Sequence, residues 1–371
     1  MNAVELTQAL IRCPSVTPDE GGAIVLLDKM LRDAGFDTRR VDRNGIANLY
    51  ARFGTQAPVF AFNGHTDVVP VGDASAWQYD PFGGEIVDGV MFGRGACDMK
   101  SGVAAFVASA IEFVKTPFDG SIMLLITGDE EGAGVDGTRA LLDDLAERDE
   151  KVDHCIVGEP TCPNEMGEMI KIGRRGSMTA YLTAKGKQGH VAYPDRAKNP
   201  VAPMIAMLHE LQTWQLDAGY TDFQPSNLEV VSVDVGNTAN NVIPAEIKSM
   251  LNIRYNPIHT AQSLQAQINE MAEKHGVDVR YQASGDAFLT AQGEFTELVA
   301  SAVQAETGRK PIMSTTGGTS DARFVKDHCP VVECGLVGAT MHGVDERVEV
   351  AHIEQLTKIY SRILGAYFGR A

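Results

Sequence analysis

The chain alternates between continuous apolar runs and segments whose apolar residues recur at helical spacing. SIMLLIT (121–127) is apolar nearly throughout, the pattern of a strand covered on both faces. HCIVGE (154–159) reads as another buried strand, and ANLYARF (47–53) and VFAFNG (59–64) are strand-like. Helical periodicity marks residues 4–12, and also 22–34, where Ile24, Leu27, Met30 and Leu31 share a face. Residues 101–115 predict a helix capped by Ser101, and 137–147 predict another. Strands alternating with helices predict an α/β core with a mostly parallel central sheet flanked by helices.

The pattern changes after Gly176. SMTAYLTAKG (177–186) alternates like an amphipathic strand, and a helix follows at about 199–215. NLEVVSVDVG (227–236) and EIKSMLNIRY (246–255) read as strands, 261–275 as a helix and VDVRYQAS (277–284) as a last strand. That order, β-α-β-β-α-β, is ferredoxin-like. The chain then returns to helix and strand from about 293. The expected organisation is one α/β domain, 1–176 and 291–371, interrupted by an inserted ferredoxin-like α+β domain at 177–290.

Composition narrows the function. A length of 371 residues suits two domains. A net charge of -17 disfavours nucleic acid and anionic membrane as partners. No apolar run approaches the roughly 20 residues that span a bilayer. The N-terminal stretch lacks a basic segment followed by an apolar one, so the expected location is the cytoplasm. Lys171, Arg174 and Arg175 stand in an acid-free stretch, IKIGRRGSM (170–178), which keeps an anionic small-molecule substrate in play. Cys13, Cys97, Cys155, Cys162, Cys329 and Cys334 form no CxxC pair and read as free, buried thiols. Cys97, next to Asp98, reads as a packing residue open to oxidation.

The chemistry resides in five segments: FNGHTDVVP (62–70), GRGACDMKSG (93–102), LLITGDEEGAG (124–134), CIVGEP (155–160) and GATMHGVDE (338–346). They offer His65, Asp98, Glu131, Glu159 and His342, at strand ends or in the loops that follow. Two imidazoles and three carboxylates suit Zn²⁺, Co²⁺ or Mn²⁺. Asp98 as a carboxylate shared by two cations accounts for the odd number of acids. Asp67, two residues after His65, is expected to accept a hydrogen bond from the second ring nitrogen of His65, or else to cap a turn. Glu130 precedes a ligand and points elsewhere, so it is the candidate general base; a solvated acidic turn is the plain alternative. No GxSxG, GxxxxGK[ST] or HExxH segment is present, which removes several other hydrolase and nucleotide-binding classes.

HTDVVP, GRGACDMKSG, GDEEG and GEPT, in this order and spacing, resemble the metal motifs of the co-catalytic di-zinc metallopeptidases, a family that includes aminoacylases and glutamate-releasing carboxypeptidases. The resemblance covers essentially the whole chain. It implies two Zn²⁺ ions, one on His65 and Glu159, the other on Glu131 and His342, bridged by Asp98. It implies a cis bond at Asp98–Met99, Asp67 as the orienting acid and Glu130 as proton acceptor. Within the family, IGRRGSMTAYLTAKGKQGHVAYP (172–194), NVIPAE (241–246), NIRYNP (252–257) and STTGGTSDARF (314–324) imply hydrolysis of N-succinyl-LL-2,6-diaminopimelate. Deacetylation of acetylornithine or another N-acyl amino acid is the alternative, and a non-catalytic binding protein on this fold the distant one.

That substrate carries carboxylates at both ends, which arginine forks bind in pairs. Arg174, Arg175 and Arg254 are the candidate forks, with Ser177, Thr319 and the backbone of Gly318 as shorter donors; alone, Arg174 and Arg175 would pass for a solvated basic turn. The resemblance places His190, with Asn240 or Asn241, over the active site of a partner subunit. It thereby implies a homodimer formed through the inserted domain, acting also as a lid. Read alone, His190 is an ordinary turn histidine.

Overall fold

The computed structural model describes residues 1–370. The chain divides into two compact units. The first comprises Met1–Ile172, Thr290–Ser314 and Ser320 onward; the second comprises Gly173–Leu289 and Thr315–Thr319.

The first unit is built on an eight-stranded mixed sheet. Its order is Asp37–Arg40, Leu49–Phe53, Ser121–Thr127, Val59–His65, His154–Val157, Val331–Glu333, Met169–Lys171 and Ile312–Ser314. Val59–His65 runs parallel to both Ser121–Thr127 and His154–Val157, and His154–Val157 is parallel to Val331–Glu333. The edge pair Asp37–Arg40 and Leu49–Phe53 is antiparallel. Val59–His65 and Ser121–Thr127 are buried at every position, as the unbroken apolar runs require.

Helices Ala3–Ile11, Lys100–Phe113, Glu294–Thr307 and Val350–Tyr367 contribute to the core of this unit. Phe106 stacks on Phe62 with ring centroids 4.3 Å apart and meets Tyr360 edge-on. Burying each such side chain stabilises the unit by about 1.5–3 kcal/mol. Helix Lys100–Phe113 starts one residue earlier than its pattern suggests, and Met99, not Ser101, is its cap residue. Ser101 is inside the first turn, and its hydroxyl donates to the carbonyl of Ala96. The preceding loop therefore uses the serine that a local reading assigns to the helix end.

The second unit has a four-stranded antiparallel sheet in the order Asn227–Asp234, Glu246–Tyr255, Gly176–Lys185, Asp278–Gly285. Helices Val201–Thr213 and Ala261–His275 pack on it. The order and connections are ferredoxin-like. Along Gly176–Lys185, Met178, Ala180, Leu182 and Ala184 are buried, while Thr179, Tyr181 and Thr183 are half-buried, the alternation of a sheet with one covered face. Thr260 and Ser263 form a capping box at the start of Ala261–His275, and Gly276 ends it in the left-handed region.

Thr315–Thr319 groups with the second unit although it lies in the returning part of the sequence. Arg174 Nη1 donates to the carbonyls of Thr316 (3.4 Å) and Gly318 (3.0 Å), and the Thr315 hydroxyl donates to the Asp222 carbonyl. Gly317, at φ 102°, is in the left-handed region that favours glycine, and a Cβ there would sit 2.6 Å from Arg174 Nη1, which would have to shift. All six cysteines are free. Among the described residues, no helix is long and apolar enough to cross a membrane.

Candidate metal centre

Because Val59–His65, Ser121–Thr127 and His154–Val157 are parallel neighbours, their carboxyl ends meet on one side of the sheet. His65 ends the first strand, Glu130 and Glu131 follow the second, and Glu159 follows the third. Asp98 precedes helix Lys100–Phe113, and its bond to Met99 is cis. His342 sits in a loop after Val331–Glu333, at φ 60°. This left-handed conformation costs a non-glycine residue about 1–2 kcal/mol and persists where the surroundings determine it.

These five side chains converge. His65 Nε2 lies 3.3 Å from Asp98 Oδ1 and 3.6 Å from Glu159 Oε1. His342 Nε2 lies 2.9 Å from Glu131 Oε1 and 3.4 Å from Asp98 Oδ2. Asp98 thus turns one oxygen to each histidine. Its Oδ1 and His65 Nε2 are buried without a hydrogen-bond partner. Ligand atoms of His65, Asp98 and Glu131 lie within 4.8 Å of one another, as do those of His65, Glu130 and Glu159. Buried, unpaired donors of imidazole and carboxylate type fit divalent cations.

The electrostatics agree with a cation-binding cluster. Burial opposes ionisation of Asp98, yet the imidazoles of His342 and His65 hold its carboxyl below the usual range. Hydrogen bonds to Asp98 and Glu131 raise His342 to about 10. Burial, then repulsion from Asp98 and Glu130, pushes Glu159 well up. Burial pushes Glu130 up to about 8, with Asp321 and Glu131 adding to the rise and His65 opposing it. Divalent charge at this point would relieve that repulsion.

Asp67 departs from its expected contact. His65 Nδ1 pairs with the backbone oxygen of Asp67 at 2.9 Å, and the carboxylate is 3.6 Å away. The Asp67 carboxylate instead accepts from the amides of Glu130 (3.3 Å) and Glu131 (3.0 Å) and from Thr17 Oγ1 (2.8 Å). Two backbone amides from the acidic loop need an acceptor in a buried site, and the carboxylate provides it.

The other candidates lie in the second unit. Arg175 Nη1 donates to Asn227 Oδ1 at 2.9 Å, and Arg254 Nε donates to Asn252 Oδ1 at 2.9 Å. Ser177 is directly opposite Arg254 in the sheet. Burial, with Arg175 nearby, lowers the Arg254 pKa. Arg174 is buried and holds the loop carrying Gly318 and Thr319. His190 is exposed and pairs with Val242 in a two-stranded ribbon, next to Asn241, whose carbonyl accepts from the Val191 amide. Asn240 is exposed in the same loop.

The chain matches the model of peptidase family M20/M25/M40 over residues 61–366. The chain belongs to this family. It is 60% identical to a succinyl-diaminopimelate desuccinylase of Cereibacter sphaeroides, over 99% of both chains. It is 59% identical to succinyl-diaminopimelate desuccinylase 1 of a Ruegeria species, over 98% of both. Its fold is similar to that of an M20-family metallo-carboxypeptidase from Sulfolobus solfataricus, with a TM-score of 0.84, 17% identity and 99% coverage of each chain. It is also similar to a dinuclear metal-binding M20 peptidase from Bacillus subtilis, with a TM-score of 0.70, 15% identity, and coverage of 100% of this chain and 98% of that one.

Motif reading of this M20-family chain passed over three residues of the site. Thr17 anchors Asp67 from the N-terminal loop, where nothing in the local sequence marks it. Arg94 and Glu346 stand inside the motifs GRGACDMKSG and GATMHGVDE and form a buried ion pair at 2.7 Å. An arginine and a glutamate with fixed places in two ligand-bearing segments were the available signal.

Proposed function

We propose that this enzyme hydrolyses the amide of N-succinyl-LL-2,6-diaminopimelate to succinate and LL-2,6-diaminopimelate, using two divalent cations. The reaction serves lysine and diaminopimelate biosynthesis, with the cytoplasm as its proposed location. The observation that carries the hydrolytic chemistry is Asp98, with one oxygen facing each of His65 and His342. The identity of 59–60% to two desuccinylases supports the substrate.

In this reading His65 and Glu159 would hold one ion, Glu131 and His342 the other, and Asp98 would be shared; Zn²⁺ is the first choice, with Co²⁺ or Mn²⁺ substituting. Divalent cations at this site would supply Lewis-acid polarisation of the amide carbonyl and would activate water for attack. Glu130 accepts the proton of the attacking water and delivers it to the leaving amine nitrogen. Asp67 fixes the backbone of Glu130 and Glu131 and so aims both side chains. Arg174, Arg175 and Arg254, with Ser177, Thr319 and the Gly318 backbone, bind the substrate carboxylates. His190, with Asn240 or Asn241, reaches the site of the partner copy in a homodimer formed through the second unit and steadies the tetrahedral oxyanion.

The deciding test compares kcat/KM for succinyl-diaminopimelate and acetylornithine on protein of measured metal content. A preference of at least about 100-fold for the succinyl substrate is expected; preference for acetylornithine overturns the substrate. A monomer with full turnover contradicts the dimer.

A further inference from the structure

Glu346 is wholly buried, four residues after His342, and takes no part in the chemistry above. Its carboxylate is saturated with donors from the loop that carries Asp98. Oε1 accepts from the amides of Cys97 (3.0 Å) and Asp98 (3.1 Å); Oε2 accepts from the amide of Gly95 (3.0 Å) and from Arg94 Nη1 (2.7 Å). The Glu346 backbone carbonyl also accepts from the Gly93 amide at 2.9 Å. Arg94 extends the arrangement: Nη2 reaches the carbonyls of His342 (3.3 Å) and Pro70 (3.4 Å). Gly95, at φ 82°, lies where a Cβ would meet Val68 at 2.7 Å, so the loop closes tightly against the His65 segment.

One ion pair therefore joins three segments, those of His65, Asp98 and His342. A buried ion pair is a poor source of stability, because desolvating both charges offsets their attraction. What this pair does supply is direction. With its own amide and those of Gly95 and Cys97 held by one carboxylate, Asp98 cannot rotate its backbone without leaving buried amides unpaired.

We propose that Glu346, aided by Arg94, is a positioning residue: it fixes the backbone of the 94–98 loop so that the two oxygens of Asp98 address both histidines at once. The inference rests on the two-cation reading of the site. It deepens that reading by assigning the geometry of the shared carboxylate to a residue that contacts neither ion nor substrate.

The test uses Glu346→Gln and Arg94→Lys in the full chain. Each is measured for metal affinity by chelator competition, for the Co²⁺ absorption spectrum, for unfolding of the metal-free protein and for kcat and KM. Glutamine leaves one acceptor oxygen where there were two, so at least one of the loop amides loses its partner. The expected result is a 10- to 100-fold loss of affinity for at least one ion and a similar fall in kcat. KM should be nearly unchanged and the Co²⁺ spectrum altered; the metal-free Glu346→Gln variant should unfold more readily than the parent, because Arg94 is left as a buried charge without its partner, yet still fold. Parent-like affinity and spectrum in a folded variant overturn the proposal. If Glu346→Gln does not fold, Arg94→Lys decides by the same measures. Collapse of both metal-free variants also overturns it, by showing the pair to be a folding element. A parent protein that binds no metal would instead sink the two-cation reading itself.

Discussion

The two units hold their functional groups in opposite ways. In the first, the candidate metal-site residues stand at strand ends and in loops tied together by buried hydrogen bonds: Asp67 to the amides of Glu130 and Glu131, Glu346 to the amides around Asp98. In the second, Arg175 and Arg254 extend from an antiparallel sheet and its margin, are only half-buried and rest on single asparagine oxygens. The contrast follows from the charge each must manage. Clustered buried carboxylates repel and have to be held in place. Under the proposed function, a guanidinium that is to meet a substrate carboxylate keeps donors free of strong protein partners, as Arg175 and Arg254 do and Arg174, tied to the carbonyls of Thr316 and Gly318, does less.

The largest break in the comparison is expected at Glu130. Glu130→Ala should lower kcat by about 10²–10⁴, the range for loss of a general base, while two ions per chain remain bound. Metal analysis beside steady-state kinetics checks this, and retention of most activity would remove Glu130 from that role. Chelation comes next. It should abolish turnover and lower the exchange protection of the first unit only: at a hundredfold excess over Kd each ion contributes about 2.7 kcal/mol to whatever it binds. Hydrogen exchange read separately in Val59–His65 and in Gly176–Lys185 should show the loss in the first strand alone. An equal loss in both would erase the distinction between the units.

A smaller effect is expected in the second unit. Arg254→Met removes one charge-assisted carboxylate contact, with a cost of about 1.5–3 kcal/mol. That is roughly a 10- to 150-fold loss of kcat/KM for the succinyl substrate, expressed mainly in KM and with metal content unchanged. If metal content falls instead, Arg254 serves the first site and the division of labour is wrong.

Much of this was legible in the sequence because the first unit writes its site in short, ordered motifs. His65, Glu131 and Glu159 follow short apolar runs of the kind buried strands show, so a shared sheet edge was the expectation from pattern. The ferredoxin-like order was legible from the switch between alternating and helical periodicity. What escaped depends on partners distant in sequence. Ser101 looked like a cap until Ala96 claimed its hydroxyl. Asp67 looked like the partner of His65 Nδ1 until the amides of Glu130 and Glu131 took its oxygens. Thr315–Thr319 joined the second unit through Arg174, more than a hundred residues earlier. The short strands Asp37–Arg40 and Met169–Lys171 have too few residues for any period to show.

The smallest effect sharpens the comparison from the structural side, since the second unit has its own tied carboxylate, placed away from any catalytic assignment. Asp217 accepts from the amides of Gly219 (2.7 Å) and Ser226 (3.2 Å) and from Asn256 Nδ2 (2.8 Å), with His259 Nε2 at 3.2 Å. Burial raises its pKa, but hydrogen bonds from the Ser226 side chain, the Gly219 and Ser226 amides and Asn256 outweigh burial and bring it below the ordinary carboxylate value. A carboxyl whose pKa is lower in the folded than in the unfolded chain stabilises the fold fully above the unfolded value, about 4. That contribution is lost as pH falls through the lower, folded value. Asp217→Asn keeps one acceptor oxygen and should therefore cost about 1–2 kcal/mol at pH 7, part of the roughly 1.5–3 kcal/mol of hydrogen bonds to a charged acceptor. The gap between parent and variant should narrow steadily as pH falls below about 4, because the parent then loses what the variant already lacks. Thermal unfolding of both proteins across pH 7 to 3, with exchange of the Gly219 and Ser226 amides as a local reading, measures it. A gap that stays constant down to pH 3 would mean that Asp217 contributes shape rather than charge, and that tied carboxylates in this molecule do electrostatic work only around the first unit's site.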